Sequence, residues 1–499
     1  MSPESSLHLP TSTTHASLTQ PTATLSPSLP LYEGVEQDVR SSSTEGSRLP
    51  SDSAARRKVV ADLNKAILKF GVDLYHTVLS GPAVRSGMTR HNVLFSPYLI
   101  ASTLQMMQSG ARGETGAQLA RLFSLPTQQE QQPGNPSPSE DLVARYFARR
   151  DRRLFPDDTD HLRTGFTVQY DCCLHRDRRV LLKQEFEARL SHTRGSHSRQ
   201  SESAGNSSRG RPRHRRLRSC THDFVNDSVH QRWKMETQLV DAVPLLGNGA
   251  SNETLPRGIV DQNTSLLLLS ALGVKGRWRR RFDPTRVCEG VFYEASVAAA
   301  DEEQRFAPHA VIMMHRTGNF RMADCGELEA TALELPYKHG SRYLIVFLPL
   351  RRDGLADLEA RMTAANLMQC LRALKRRDNV DLSLPKFHAR GIVDLGSALS
   401  AMGVDALFRQ DVADLSGMCN SEGAFVSAAR HAAAFRATWK GRVSRSGPRT
   451  SAPEHEKFTV DRPFLFLVLS RRPSALLLLG SVRSVRPRFK AELLPAPSR

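Results

Sequence analysis

The sequence predicts an α+β domain, and three observations carry that prediction. Apolar residues recur at helical spacing in the first half, short apolar or alternating runs fill the second, and no internal repeat divides the 499 residues. The first helix is read from Leu63, Ile67, Phe70, Leu74 and Val78, which follow Val59 at three- and four-residue steps and so share one helix face. A second helix runs through Ile100, Leu104 and Met107 and breaks at Gly110-Ala111-Arg112-Gly113. A third follows through Leu119, Leu122 and Phe123, with Glu114 near its start. Strands are expected at 311–314, 332–335, 343–348, 380–384, 464–469 and 476–479, each bounded by Gly, Pro or Arg, with helical pieces near 355–374 and 395–402.

Composition refines this picture. A formal charge of +18 and 39% hydrophobic residues describe a poor average core, so the average must mix a folded part with segments that have none. Residues 1–57 are rich in Ser, Thr and Pro and lack periodic apolar positions. They cannot offset their ordering entropy and are expected to be a disordered tail. Residues 191–220 form a second such segment, a basic insertion with eight arginines against a single acid, Glu202. No aromatic residue is interleaved there, which argues against a base-stacking surface. Arg211, Arg213, Arg215, Arg216 and Arg218 are instead the candidates for contact with a heparin-like polyanion.

Location and redox state are read from other residues. No apolar run approaches the ~20 residues that span a bilayer, so membrane insertion is not expected. Met1 is followed by Ser, Pro, Thr and His, which is not a secretory signal pattern. Four Asn-x-Ser/Thr triplets, at Asn206, Asn226, Asn252 and Asn263, point the other way, towards a glycosylated extracellular chain. The seven cysteines form no dense framework and are read as mostly free or buried thiols. Cys172 and Cys173, as strand neighbours, face opposite sides.

Catalytic patterns are missing. There is no Gly-x-x-x-x-Gly-Lys-Ser/Thr, no Gly-x-Ser-x-Gly and no His-Glu-x-x-His. The nearest metal-like group, His214, Cys220 and His222, falls in the basic insertion, where cationic neighbours and the lack of a rigid surround favour solvated histidines. Neither a metal nor a cofactor is expected, and the chain is not expected to be an enzyme.

A series of segments, in order, resembles the serpin family. Asn92-Val93-Leu94-Phe95-Ser96-Pro97 with Gly110-Ala111-Arg112-Gly113-Glu114-Thr115 resembles its early signature, and Lys275-Gly276-Arg277-Trp278 with Phe282-Asp283-Pro284 its strand and tryptophan turn. Glu334-Leu335-Pro336-Tyr337, Phe347-Leu348-Pro349, Leu384-Pro385-Lys386-Phe387 and Ala413-Asp414-Leu415-Ser416-Gly417 follow, and Phe458 to Phe466 with Gly480-Ser481-Val482 resemble its closing hairpin. The resemblance covers 58–487, leaving 488–499 as a tail. It implies about nine helices, three β-sheets, a monomer and an exposed reactive-centre loop in the region 436–457. It also implies a serine-type endopeptidase inhibitor, secreted with the cytoplasm as alternative. Its loop is cleaved by a serine protease and inserts as a new strand of the main sheet. By the same resemblance Ser96 and His431 belong to the shutter beneath that sheet, where Ser270 replaces the family's Asn, and Trp278 to the breach where the loop enters.

Insertion demands a small, neutral hinge, because alternate side chains become buried. Here the hinge reads Gly441, Arg442, Val443, Ser444, and only the glycine is kept. Arg442 would carry a charge into the sheet and Pro448 would delete a ladder N–H. Impaired inhibition is therefore expected, and the alternative is a non-inhibitory serpin serving as a protease substrate or scaffold. Arg449 is the candidate scissile residue for a trypsin-like protease, while the family's usual spacing reaches His455.

Overall fold

The computed structural model describes residues 53–81, 92–123, 138–155, 165–191, 217–247, 254–295, 306–439 and 455–485. Two sheets and nine α-helices lie among them. Helix α1 (Ser53–Leu79) starts ahead of the boundary expected at 57 and buries Leu63, Ile67, Phe70 and Leu74, the stripe read from the sequence. Strand β1 (Val93–Phe95) leads into α2 (Pro97–Gly110), where Ser96 caps the helix by accepting from the Leu99 N–H at 3.2 Å and Pro97 needs no donor of its own. α3 (Gly113–Arg121) follows, with Glu114 in its first turn, and α4 (Pro138–Leu154) lies beyond an undescribed stretch.

The five-stranded sheet has the order β10-β11-β4-β2-β3. Its strands are β2 (Phe166–Asp177), β3 (Arg218–His222), β4 (Leu266–Gly276), β10 (Phe387–Asp394) and β11 (Val426–Ala437). Between the first two come α5 (Gln184–Ser191) and the undescribed 192–216, so α5 and β3 occupy the two ends of the segment expected to be a disordered insertion. α6 (Phe224–Ala242) crosses the sheet. Leu239, Val243, Leu245 and Leu246 pack on Ala271, Ala432 and Ala434, and Phe224 and Met235 pack with Leu267 and Leu269. Small residues let it come close. A Cβ on Gly273 would lie 2.8 Å from a Val243 methyl.

The other sheet has nine strands, in the order β1-β14-β13-β8-β7-β6-β9-β12 with β5 also paired to β6. They include β5 (Cys288–Ala295), β6 (Phe306–Cys325), β7 (Ala330–Pro336), β8 (Arg342–Pro349), β9 (Lys375–Pro385), β12 (Glu456–Thr459), β13 (Phe464–Arg471) and β14 (Ser474–Val482). Only two sheets appear among the described residues where three were expected, and the reason is the length of β6. Its first part pairs with β5 and its last with β7, which fuses two ladders into one sheet. α7 (Leu355–Arg361), α8 (Ala364–Ala373) and α9 (Leu395–Ala401) complete the helices.

One large core lies between the sheets. Phe387 and Phe435 of the five-stranded sheet meet Phe464 and Phe466 of β13 with ring centroids 5.1–5.9 Å apart. Cys325 and Cys370 form a disulfide, and Cys172, Cys173, Cys220, Cys288 and Cys419 are free, in keeping with mostly free thiols. No described helix is long and apolar enough to cross a membrane.

Candidate functional site

The unusual feature of the five-stranded sheet is its centre. β4 and β11 are far apart in sequence yet pair directly and in parallel, from Val426 opposite Leu266 to Arg436 opposite Lys275. β11 is built of small residues, Ala428, Ala429, Ala432, Ala433 and Ala434, so the two faces of this seam can be covered closely. The chain leaves the sheet at Thr438 and Trp439 and returns at His455, before β12.

Beneath the seam, His431 joins three elements. Its fully buried ring stands in register with Ser270 of β4, and the Ser270 Oγ lies 2.8 Å from Nδ1. The Ser96 backbone N–H, at the head of α2, donates to Nε2 at 3.0 Å. An acceptor Nε2 leaves the proton on Nδ1, which therefore donates to Ser270. Burial without a compensating charge drives the imidazole's pKa down from 6.5 to about 3, so the ring is neutral. It works as a two-way hydrogen-bonding pin.

Above the seam, Trp278 closes the end of β11. Its indole stacks on Tyr337 at 4.7 Å and donates through Nε1 to the Thr438 carbonyl at 3.0 Å. Phe282 packs edge-on against it at 5.9 Å, which fixes the ring in place. Lys386 lies 5.6 Å from the Trp439 ring centroid. The root of the departing chain is therefore tied down on two sides.

The structure places Ser96 and His431 together under the seam, where His431 also meets Ser270 of β4, and Trp278 at the seam's end, on Thr438. Gly441, Arg442, Val443, Ser444 and Arg449 lie outside the described residues, as do Arg211, Arg213, Arg215 and Arg216. Arg218 differs from expectation. Rather than a loop residue free to meet a polyanion, it opens β3 and forms an ion pair with the buried Asp171 of β2, so its charge is already engaged. Cys220 and His222, expected in the same loop, are also on β3. β3 carries no run of apolar residues, so the sequence gives no strand signal there. An edge strand with one neighbour needs none.

The family profile of the serpins, serine protease inhibitors, matches residues 65–203 and 224–485. The chain belongs to the serpin family, a family of protease inhibitors rather than of enzymes. It is 28% identical to Ipis-1 of Ixodes persulcatus over 435 residues, covering 85% of this chain and all of that one. With the leukocyte elastase inhibitor of Homo sapiens it shares 26% over 440 residues, 85% of this chain and 99% of the other. Among solved structures, uncleaved ovalbumin superposes with a TM-score of 0.65 at 22% identity, over 84% of this chain and 99% of its own. Thyroxine-binding globulin in complex with thyroxine gives 0.65 at 21%, over 85% and 99%.

Proposed function

We propose that this serpin presents the chain between Trp439 and His455 to trypsin-like serine proteases, and that after cleavage the amino-terminal part of that loop enters the β4–β11 seam. The observation that carries the reading is the seam itself. A loop that continues from β11 must reverse direction to enter, so it would run antiparallel to both β4 and β11. One parallel pairing is then replaced by two antiparallel ones, which are slightly more stable per residue and add a full strand of ladder bonds. The Ser270–His431 and Trp278–Thr438 bonds hold the competing closed state.

The hinge works against rapid entry. Arg442 has to lose water or snorkel, and Pro448 breaks the ladder, so insertion is slowed relative to hydrolysis of the acyl-enzyme. Incubation with equimolar trypsin, read on denaturing gels, tests this. The expected result is cleavage near Arg449 with a minor SDS-stable complex. Stoichiometric complex would overturn the slowed hinge, and cleavage with no complex would favour the non-inhibitory substrate or scaffold. In this reading the chain is a secreted monomer, supported by the exposed Asn226 and Asn263 of two glycosylation triplets. The arginines at 211, 213, 215 and 216 supply its polyanion contact. Retention on heparin should fall when all four become alanine.

A further inference from the structure

At the other edge of the five-stranded sheet the sequence carries one pattern twice, Cys173-Leu174-His175 on β2 and Cys220-Thr221-His222 on β3. Residues two apart on a strand share a face, so the parallel pairing gathers two thiols and two imidazoles under α6. The two sulfurs are 3.0 Å apart, and one ligand atom each of Cys173, His175 and Cys220 lies within 4.8 Å of the others. His175 Nδ1 is 2.8 Å from His222 Nε2. We propose that Cys173, His175 and Cys220 bind a thiophilic d10 cation of the zinc class, with His222 fixing the His175 ring from behind.

The hydrogen-bond chain behind the site sets the ligand. Gln231 of α6 turns its NH2 towards Asp227 at 3.5 Å and its oxygen towards His222 Nδ1 at 2.8 Å. A carbonyl oxygen only accepts, so His222 carries its proton on Nδ1 and offers Nε2 to the Nδ1–H of His175. His175 is left with a lone pair on Nε2. That is the outer-shell orientation that metal-bound histidines use. The positive neighbour, Arg218, is neutralised by Asp171, so two thiolates and a divalent ion balance in charge. On binding, each thiol releases its proton to solvent as its sulfur bonds the metal, with no change of oxidation state.

A disulfide fits less well. Cys173 stands opposite Arg218 and Cys220 opposite His175, so the cysteines are diagonal neighbours. A two-residue offset across adjacent strands separates Cα atoms by about 8 Å, beyond the ~7 Å that a disulfide bridges without backbone movement. Tetrahedral zinc needs sulfurs about 3.8 Å apart, within reach of a small rotation of the half-buried Cys220.

The test uses the full chain purified under reducing conditions, titrated with Co2+ as a spectroscopic probe and then with Zn2+. The expected result is one equivalent of Co2+ with the near-ultraviolet absorption of two thiolate ligands, bleached by Zn2+, and a melting temperature raised by Zn2+. Cys173→Ser and Cys220→Ser should each lose that absorption and Cys419→Ser should keep it. Gln231→Ala, which keeps every ligand, should weaken binding about tenfold. The wild-type spectrum counts thiolates by itself, so the test survives a variant that does not fold. Absence of thiolate absorption in the wild-type chain, its persistence in a Cys173→Ser/Cys220→Ser double variant, or a Cys173–Cys220 disulfide found by alkylation and mass spectrometry would overturn the proposal.

Discussion

Replacing His431 by glutamine probes the seam at its centre. Gln can accept from the Ser96 N–H and donate to Ser270, so it keeps the hydrogen-bonding roles of the imidazole and removes only its titration. In the native chain the ring's pKa is held at about 3, against 6.5 when the chain is unfolded. The unfolded state therefore takes up a proton first. The stability contributed by the neutral ring is complete above pH 6.5 and is lost as pH falls from there towards 3. At pH 5 the loss from this one group is about 2 kcal/mol, from 1.5 pH units at ~1.36 kcal/mol each. Urea unfolding of both proteins at pH 7.5 and pH 5.0 isolates it, because every other histidine is common to the two. The wild-type chain should lose about 2 kcal/mol more than His431→Gln across that interval. Identical losses would refute a buried neutral His431.

Three further substitutions address the neighbouring contacts. Trp278→Phe keeps an aromatic ring on Tyr337 but removes the donor to Thr438, and should lower urea stability by about 1 kcal/mol; an unchanged midpoint would remove Trp278 from the seam's closure. Arg218→Ala leaves the buried Asp171 carboxylate without its partner and should cost about 2 kcal/mol, discounted for the arginine's partial exposure. Its heparin retention should barely change, whereas a large drop would return Arg218 to a polyanion surface. Gly391→Ala would put a Cβ 2.2 Å from the Leu94 carbonyl oxygen, where β1 passes over β10. Both atoms are tied to backbone, so the soluble yield should collapse, and near-normal melting would show the crossing to be looser than described.

Much of this architecture was legible in the residues because burial is one-sided. The stripe from Leu63 to Leu74 and the runs at 343–348 and 464–469 announce elements that pack on a single core. Ser96, His431 and Trp278 were found only through family resemblance, since one serine, one histidine and one tryptophan carry no periodic signal. β3 escaped because Arg218-Ser219-Cys220-Thr221-His222 looks like the arginine-rich stretch before it, and its order comes from pairing with β2. The cysteine–histidine cluster escaped with it. Two Cys-x-His triplets far apart in sequence meet only once that strand is placed. The fusion of ladders through β6 was hidden for a related reason, as strand length shows in sequence but partner choice does not.

The most direct measurement is the melting temperature of the chain after limited trypsin cleavage between Trp439 and His455, compared with the intact protein. Entry of the cleaved loop into the β4–β11 seam adds a central strand, so the cleaved form should melt well above the intact one. An unchanged or lower melting temperature would contradict the account, leaving the seam closed and the loop outside it.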